Sequence, residues 1–90
     1  MLEATVEVRN QLGLHARAAA QLVRLANSFK SRILVSRQDT NSFADAKSIL
    51  SILTLAASMG TSLFVTVEGE DAEAALAAVQ ALFLNGFGEN

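Results

Sequence analysis

Ninety residues, 51% of them hydrophobic, supply one domain with a real core and are too few for two, so residues 1–90 are expected to form a single domain. The absence of cysteine excludes disulfides and thiolate metal sites and suits a reducing cytoplasm. A net charge of −2 argues against nucleic acid as the main partner, but the balance is uneven: seven bases and four acids up to Lys47, then five acids and no base.

Leu2, Ala4, Val6 and Val8 alternate with Glu3, Thr5 and Glu7, the mark of a half-buried strand. The opening Met1-Leu2-Glu3-Ala4 shows no basic and apolar signal segment. Asn10 to Gly13 reads as a turn. Ala16 to Ser28 lacks glycine and proline and sets Ala19, Leu22, Ala26 and Phe29 on one helical face, with Val23 and Leu25 flanking it. Arg32 to Arg37 predicts a short strand, and Ser42 to Ala44 its hairpin partner across a Gln38–Asn41 turn. Asp45-Ala46-Lys47-Ser48 is a helix start with Ser48 or Asp45 as N-cap, and glycine at position 60 predicts the end near Met59. The apolar stretch here, Ile49 to Ala57, is far short of the roughly 20 residues that span a bilayer. Ser62 to Glu68 is a strand, Ala72 to Leu84 a helix turning Ala75, Val79 and Leu82 or Phe83 inward, and Asn85-Gly86 closes it. The order β-α-β-β-α-β-α predicts an α+β domain of two layers, with helices on one side of an antiparallel sheet.

The chain has one histidine, and a lone histidine is ordinarily a surface or capping residue. Gly13-Leu14-His15-Ala16-Arg17 puts this one where a tight turn meets the first turn of the first helix. A helix N-terminus offers unpaired N–H groups and partial positive charge, which suit an anion. Arg17 adds a cation whose fork fits phosphate oxygens, and Gly13 lets the chain turn so that the ring stands out to solvent. These positive surroundings disfavour the imidazolium, leave a neutral ring with a lone pair, and would stabilise an attached phosphoryl dianion. No serine or carboxylate partner is evident for general-base chemistry, and without a second histidine a metal site lacks ligands. Phosphoryl acceptance is the chemistry one histidine and one arginine support while a donor enzyme supplies the rest.

Gly13-Leu14-His15-Ala16-Arg17-Ala18-Ala19 resembles the active-site signature of the histidine-containing phosphocarrier (HPr) proteins of the bacterial phosphoenolpyruvate phosphotransferase system. The resemblance spans the whole chain in length and element order, and Asp45-Ala46-Lys47-Ser48-Ile49-Leu50 is similar to the family's serine site. It implies an HPr-like open-faced β-sandwich with a four-stranded antiparallel sheet in order 1-4-2-3 and three helices on one face. It also implies phosphorylation on Nδ1 of His15, with Arg17 neutralising the phosphate. The implied role is a stoichiometric intermediate without turnover of its own, a monomer that takes phosphate from enzyme I and gives it to an enzyme IIA. Phosphoenolpyruvate and Mg²⁺ act on enzyme I, so no cofactor or metal is expected on this chain. Most members carry proline where this chain has Ala18; alanine suits a first helical turn too, so a slightly less rigid loop with its chemistry intact is expected.

By position, the resemblance carries over a docking surface made of Ala16, Arg17, Ala20, Arg24 and Asn27 on the first helix and Ile49, Leu50 and Leu53 on the second, with Lys47 and Ser51 nearby. Ile52 is expected in the core and Ile49 and Leu50 partly at the surface, an apolar patch ringed by Arg17, Arg24 and Lys47 for an acidic partner. Ser48 caps its helix whether or not an HPr kinase/phosphorylase acts on it, as on the matching serine in part of the family. The last segment, Glu73 to Phe83 with Gly86-Phe87, resembles the nitrogen-type carriers (NPr), as does Thr5-Val6-Glu7-Val8, whereas Lys47-Ser48 resembles the sugar-transport carriers. Two other functional classes make different demands on the sequence. A regulatory docking module of the same fold, acting on an enzyme or transcription factor, would not need His15. A metabolite- or RNA-binding α+β domain would want a ligand pocket or exposed aromatics on the sheet, whereas the five phenylalanines are scattered as for core packing.

Overall fold

The computed structural model describes residues 1–89. Four strands, β1 (Leu2–Glu7), β2 (Arg32–Arg37), β3 (Ser42–Asp45) and β4 (Ser62–Glu68), and three helices, α1 (Ala16–Asn27), α2 (Ile49–Leu53) and α3 (Ala72–Leu84), follow one another as β-α-β-β-α-β-α, with a final 3₁₀ turn at Gly86–Gly88. The strands form one antiparallel sheet in the order β1-β4-β2-β3, as expected.

Period-two alternation decides which face is dry. Ala4 pairs with Val65, Val65 with Val35, and Val35 with Ala44, so one row crosses all four strands on the side facing the helices. Val6, Leu63, Val67 and Ile33 share that side and are buried with Leu22 and Ala26 of α1, Ile52 of α2, and Ala75, Val79 and Phe83 of α3. On the other side Thr5, Phe64, Ser36 and Phe43 form the matching row toward solvent. The expectation that the phenylalanines serve the core therefore holds for Phe83 and Phe87 and fails for Phe43, which is 69% exposed. Its odd register position in β3 points it away from the helices.

The second helix is shorter than its sequence suggests. Ser48, and not Asp45, is the N-cap: its Oγ accepts from the Ser51 amide, while Asp45 Oδ1 accepts from Lys47 N–H. The helix stops at Leu53 instead of continuing to Met59. Arg37 Nη1 donates to the carbonyls of Leu55 and Ala56, and Ala56 turns left-handed at φ 48°. The carbonyl of Ala57 then accepts from Leu14 N–H at 2.8 Å. Tertiary partners for these carbonyls replace a further turn of helix, and they tie the segment after α2 to the loop that carries His15.

Candidate functional site

The site begins with a turn. Gly13 N–H donates to the Asn10 carbonyl, Asn10 Nδ2 donates back to the Gly13 carbonyl at 2.8 Å, and Gly13 sits at φ 69°. A Cβ there would lie 2.5 Å from the Ala57 oxygen, so only glycine allows both the left-handed turn and the close approach. The chain leaves the turn through buried Leu14, and His15 becomes the N-cap of α1. Its carbonyl accepts the first helical bond from Ala19 N–H at 2.8 Å. Its Nδ1 accepts from Arg17 N–H at 3.3 Å, occupying the place a capping side-chain oxygen usually takes. Ala18, in the first turn, is completely buried and joins the core.

The ring does not stand as free in solvent as its sequence setting suggests; its side chain is 26% exposed. The chain beyond α3 folds back over it. Gly86, Phe87 and Gly88 all take positive φ (59°, 58° and 73°), Phe87 packs edge-on against Phe83 with centroids 5.0 Å apart, and Gln21 Nε2 donates to the Phe87 carbonyl at 3.1 Å. This brings Glu89 Oε2 within 2.8 Å of His15 Nε2, while Glu89 Oε1 accepts from Asn10 Nδ2 at 2.9 Å. The expectation that no carboxylate partners the histidine is thus wrong. Neither Asn10, read only as a turn residue, nor Glu89 announced itself, although two glycines around a phenylalanine beyond a helix end do signal a chain that reverses to bury an aromatic.

The hydrogen bonds assign the tautomer. An ionised carboxylate only accepts, so the nitrogen facing Glu89 carries the proton, and the nitrogen facing Arg17 N–H carries the lone pair. The Asn10 amide, then the His15 hydrogen bond and the charge of Arg17, hold the Glu89 carboxyl below the usual carboxylate range against the opposing effect of desolvation. The Arg17 guanidinium is exposed and makes no hydrogen bond or ion pair among the described residues. At the N-terminus of α1 the site therefore offers a nitrogen lone pair, helix amides and an available cation.

The proposed contact face is partly as expected. Ile52 is buried, Leu53 half-buried, and Ile49 (38%) and Leu50 (74%) are exposed. Ala16, Arg17 and Arg24 are exposed alongside, and Ala20 is half-buried. Asn27 and Lys47 also have structural work. Asn27 Nδ2 donates to the carbonyls of Val23 and Lys47, and Lys47 Nζ donates to the Phe29 carbonyl at 2.8 Å, which joins α1 to the start of α2.

A four-stranded open-faced sheet with its one histidine capping the first helix is the architecture of a histidine phosphocarrier. The family model for the PTS HPr component phosphorylation site matches residues 2–85, a span that includes His15. The phosphocarrier protein HPr of Cupriavidus necator is 42% identical over 89 residues, covering 99% of this chain and 98% of that protein. The phosphocarrier protein NPr of Escherichia coli is likewise 42% identical, over 86 residues, covering 96% and 94%. The crystal structure of HPr-C-His from Thermoanaerobacter tengcongensis superposes with a TM-score of 0.94 at 41% identity, covering 100% of this chain and 99% of that one. The chain belongs to the HPr family and is a phosphocarrier of the phosphotransferase system. Relatives named HPr and relatives named NPr both match it at 42% identity. No helix among the described residues is long and apolar enough to cross a membrane.

Proposed function

We propose that the chain accepts a phosphoryl group from enzyme I on Nδ1 of His15 and passes it to an enzyme IIA. The observation that carries this is the division of labour on the ring: Nε2 is committed to Glu89 at 2.8 Å, and Nδ1 keeps its lone pair at the N-terminus of α1. Its one bond, at 3.3 Å from Arg17 N–H, is long and easily exchanged for a phosphoryl group, which the same amides and the Arg17 guanidinium would then neutralise. Ile49, Leu50 and Leu53, with Ala16, Ala20, Arg24, Asn27 and Lys47, form the docking face for both partners. Apolar area with a basic rim suits short-lived association with acidic surfaces.

Ser48 is proposed as a second, regulatory phosphorylation site. It lies between Lys47 and the exposed Ile49 and Leu50, where a dianion would oppose an acidic partner. The protein is proposed to act in the cytoplasm as a monomer, in either the sugar-transport or the nitrogen-type branch, without a cofactor of its own. Incubation with enzyme I, phosphoenolpyruvate and Mg²⁺, followed by intact mass, tests the reading. One acid-labile phosphate on the wild type and none on His15→Ala is expected. No phosphate with enzyme I of either branch overturns it and leaves a docking module.

A further inference from the structure

We propose that Glu89 is a positioning residue for phosphoryl transfer, which keeps the proton on Nε2 of His15 and balances the charge the ring gains when Nδ1 is phosphorylated. The inference rests on His15 as the acceptor and adds to it a partner from the other end of the chain.

The contact is built rather than incidental. Both carboxylate oxygens are used, Oε2 on His15 at 2.8 Å and Oε1 on Asn10 at 2.9 Å, and the Glu89 side chain is only 12% exposed. Asn10 is itself 1% exposed, and its amide bridges Glu89 to the Gly13 carbonyl, so the carboxylate is fixed to the very turn that presents the ring. The backbone behind Glu89 is pinned as well. Glu89 N–H donates to the Gly86 carbonyl at 3.0 Å, Gly88 N–H to that of Asn85 at 3.1 Å, and Phe87 adopts a left-handed conformation that a non-glycine residue keeps only where its surroundings enforce it. The enforcement is visible in the buried Phe83–Phe87 contact and the Gln21 bond.

The chemistry follows from electron balance. In acceptance, the Nδ1 lone pair forms the bond to phosphorus while the bond from phosphorus to the donor atom of enzyme I breaks, its electron pair staying with the donor. Nε2 keeps its proton throughout, so the product ring is a phosphoimidazolium, and the Glu89 carboxylate faces the new positive charge across a hydrogen bond. In donation, the Nδ1–phosphorus pair returns to the ring, which becomes neutral with the Nε2 proton still in place. A protonated ring is the better leaving group, so a carboxylate that favours that form speeds departure as well as arrival. A carboxylate behind an imidazole plays the same part in hydrolytic triads, orienting the ring and balancing its charge without taking the proton.

The test compares wild type, Glu89→Gln and Glu89→Asp, each charged with enzyme I and phosphoenolpyruvate, then discharged to unphosphorylated enzyme I by adding pyruvate. Enzyme I serves as the acceptor in the discharge, so no enzyme IIA need be identified. We expect Glu89→Gln to lose the downfield, exchange-protected Nε2–H proton resonance of His15 and to discharge about tenfold more slowly. Its KM toward enzyme I should be unchanged, and Glu89→Asp should restore part of the rate. A Glu89→Gln protein that discharges like wild type, or one that is slowed only through a raised KM, overturns the role of Glu89 alone. A wild type that takes no phosphate overturns the carrier reading itself.

Discussion

Gly13 and the Ala57 carbonyl stand so close that the acceptor loop and the segment after α2 share one surface: a Cβ on residue 13 would lie 2.5 Å from that oxygen and 2.9 Å from the Ser58 Cα. Both obstacles are backbone atoms, so neither can be relieved by a rotamer change. Gly13→Ala, strained at φ 69° and clashing, is expected to cost about 3 kcal/mol of stability and to slow phosphoryl acceptance by displacing His15. Urea unfolding monitored by circular dichroism, with the acceptance rate measured on the folded fraction, checks both effects.

Arg17 should matter to chemistry and not to folding. Its guanidinium makes no bond among the described residues, so Arg17→Ala is expected to melt like wild type while acceptance falls by about 10²-fold. Arg17→Lys should recover part of that, because a point charge replaces the fork. Rapid-quench labelling from phosphorylated enzyme I reads the rates.

Ser48 separates capping from charge. Its cap bond to Ser51 N–H is long, at 3.4 Å, so Ser48→Ala should cost only about 0.5 kcal/mol. Ser48→Asp keeps a capping oxygen and adds a negative charge beside Ile49 and Leu50. It is expected to weaken binding to enzyme I by about tenfold at low salt, and by less as salt screens the charge. Titration calorimetry at two ionic strengths distinguishes the two variants.

Asp71 gives the fold an acid-sensitive tie. Its carboxylate accepts from the Ser31 hydroxyl and from the amides of Lys30 and Ser31, and these bonds hold it below the usual carboxylate range. With the folded-state value depressed, the stabilisation is complete above the unfolded carboxylate pKa and is lost as pH falls through the lower folded one. Asp71→Asn should therefore be less stable than wild type at neutral pH and converge with it toward pH 2. Thermal melts across that range check the sign.

Local rules carried most of this structure. β1 is legible because Leu2, Ala4 and Val6 alternate with Glu3, Thr5 and Glu7, β2, β3 and β4 because short apolar stretches are bounded by turn residues, and α3 because its limits coincide with a helical run closed by Asn85. The end of α2 is not legible: residues 54–59 read as continuing helix, and only Arg37 and Leu14, from distant elements, show why the chain leaves it after Leu53. The site divides the same way. His15 and Arg17 lie in one turn of helix and are visible as a pair, whereas Glu89 meets His15 across 74 positions through a reversal that depends on Phe87 finding Phe83. Phe43 shows the converse, an aromatic read as core that a short edge strand turns outward.

The most direct measurement is a long-range ¹H–¹⁵N correlation spectrum of the protein charged by enzyme I and phosphoenolpyruvate, which reports which imidazole nitrogen bears phosphorus. The arrangement around His15 predicts phosphate on Nδ1 with a proton on Nε2. Phosphate on Nε2, or on any residue other than His15, would contradict it.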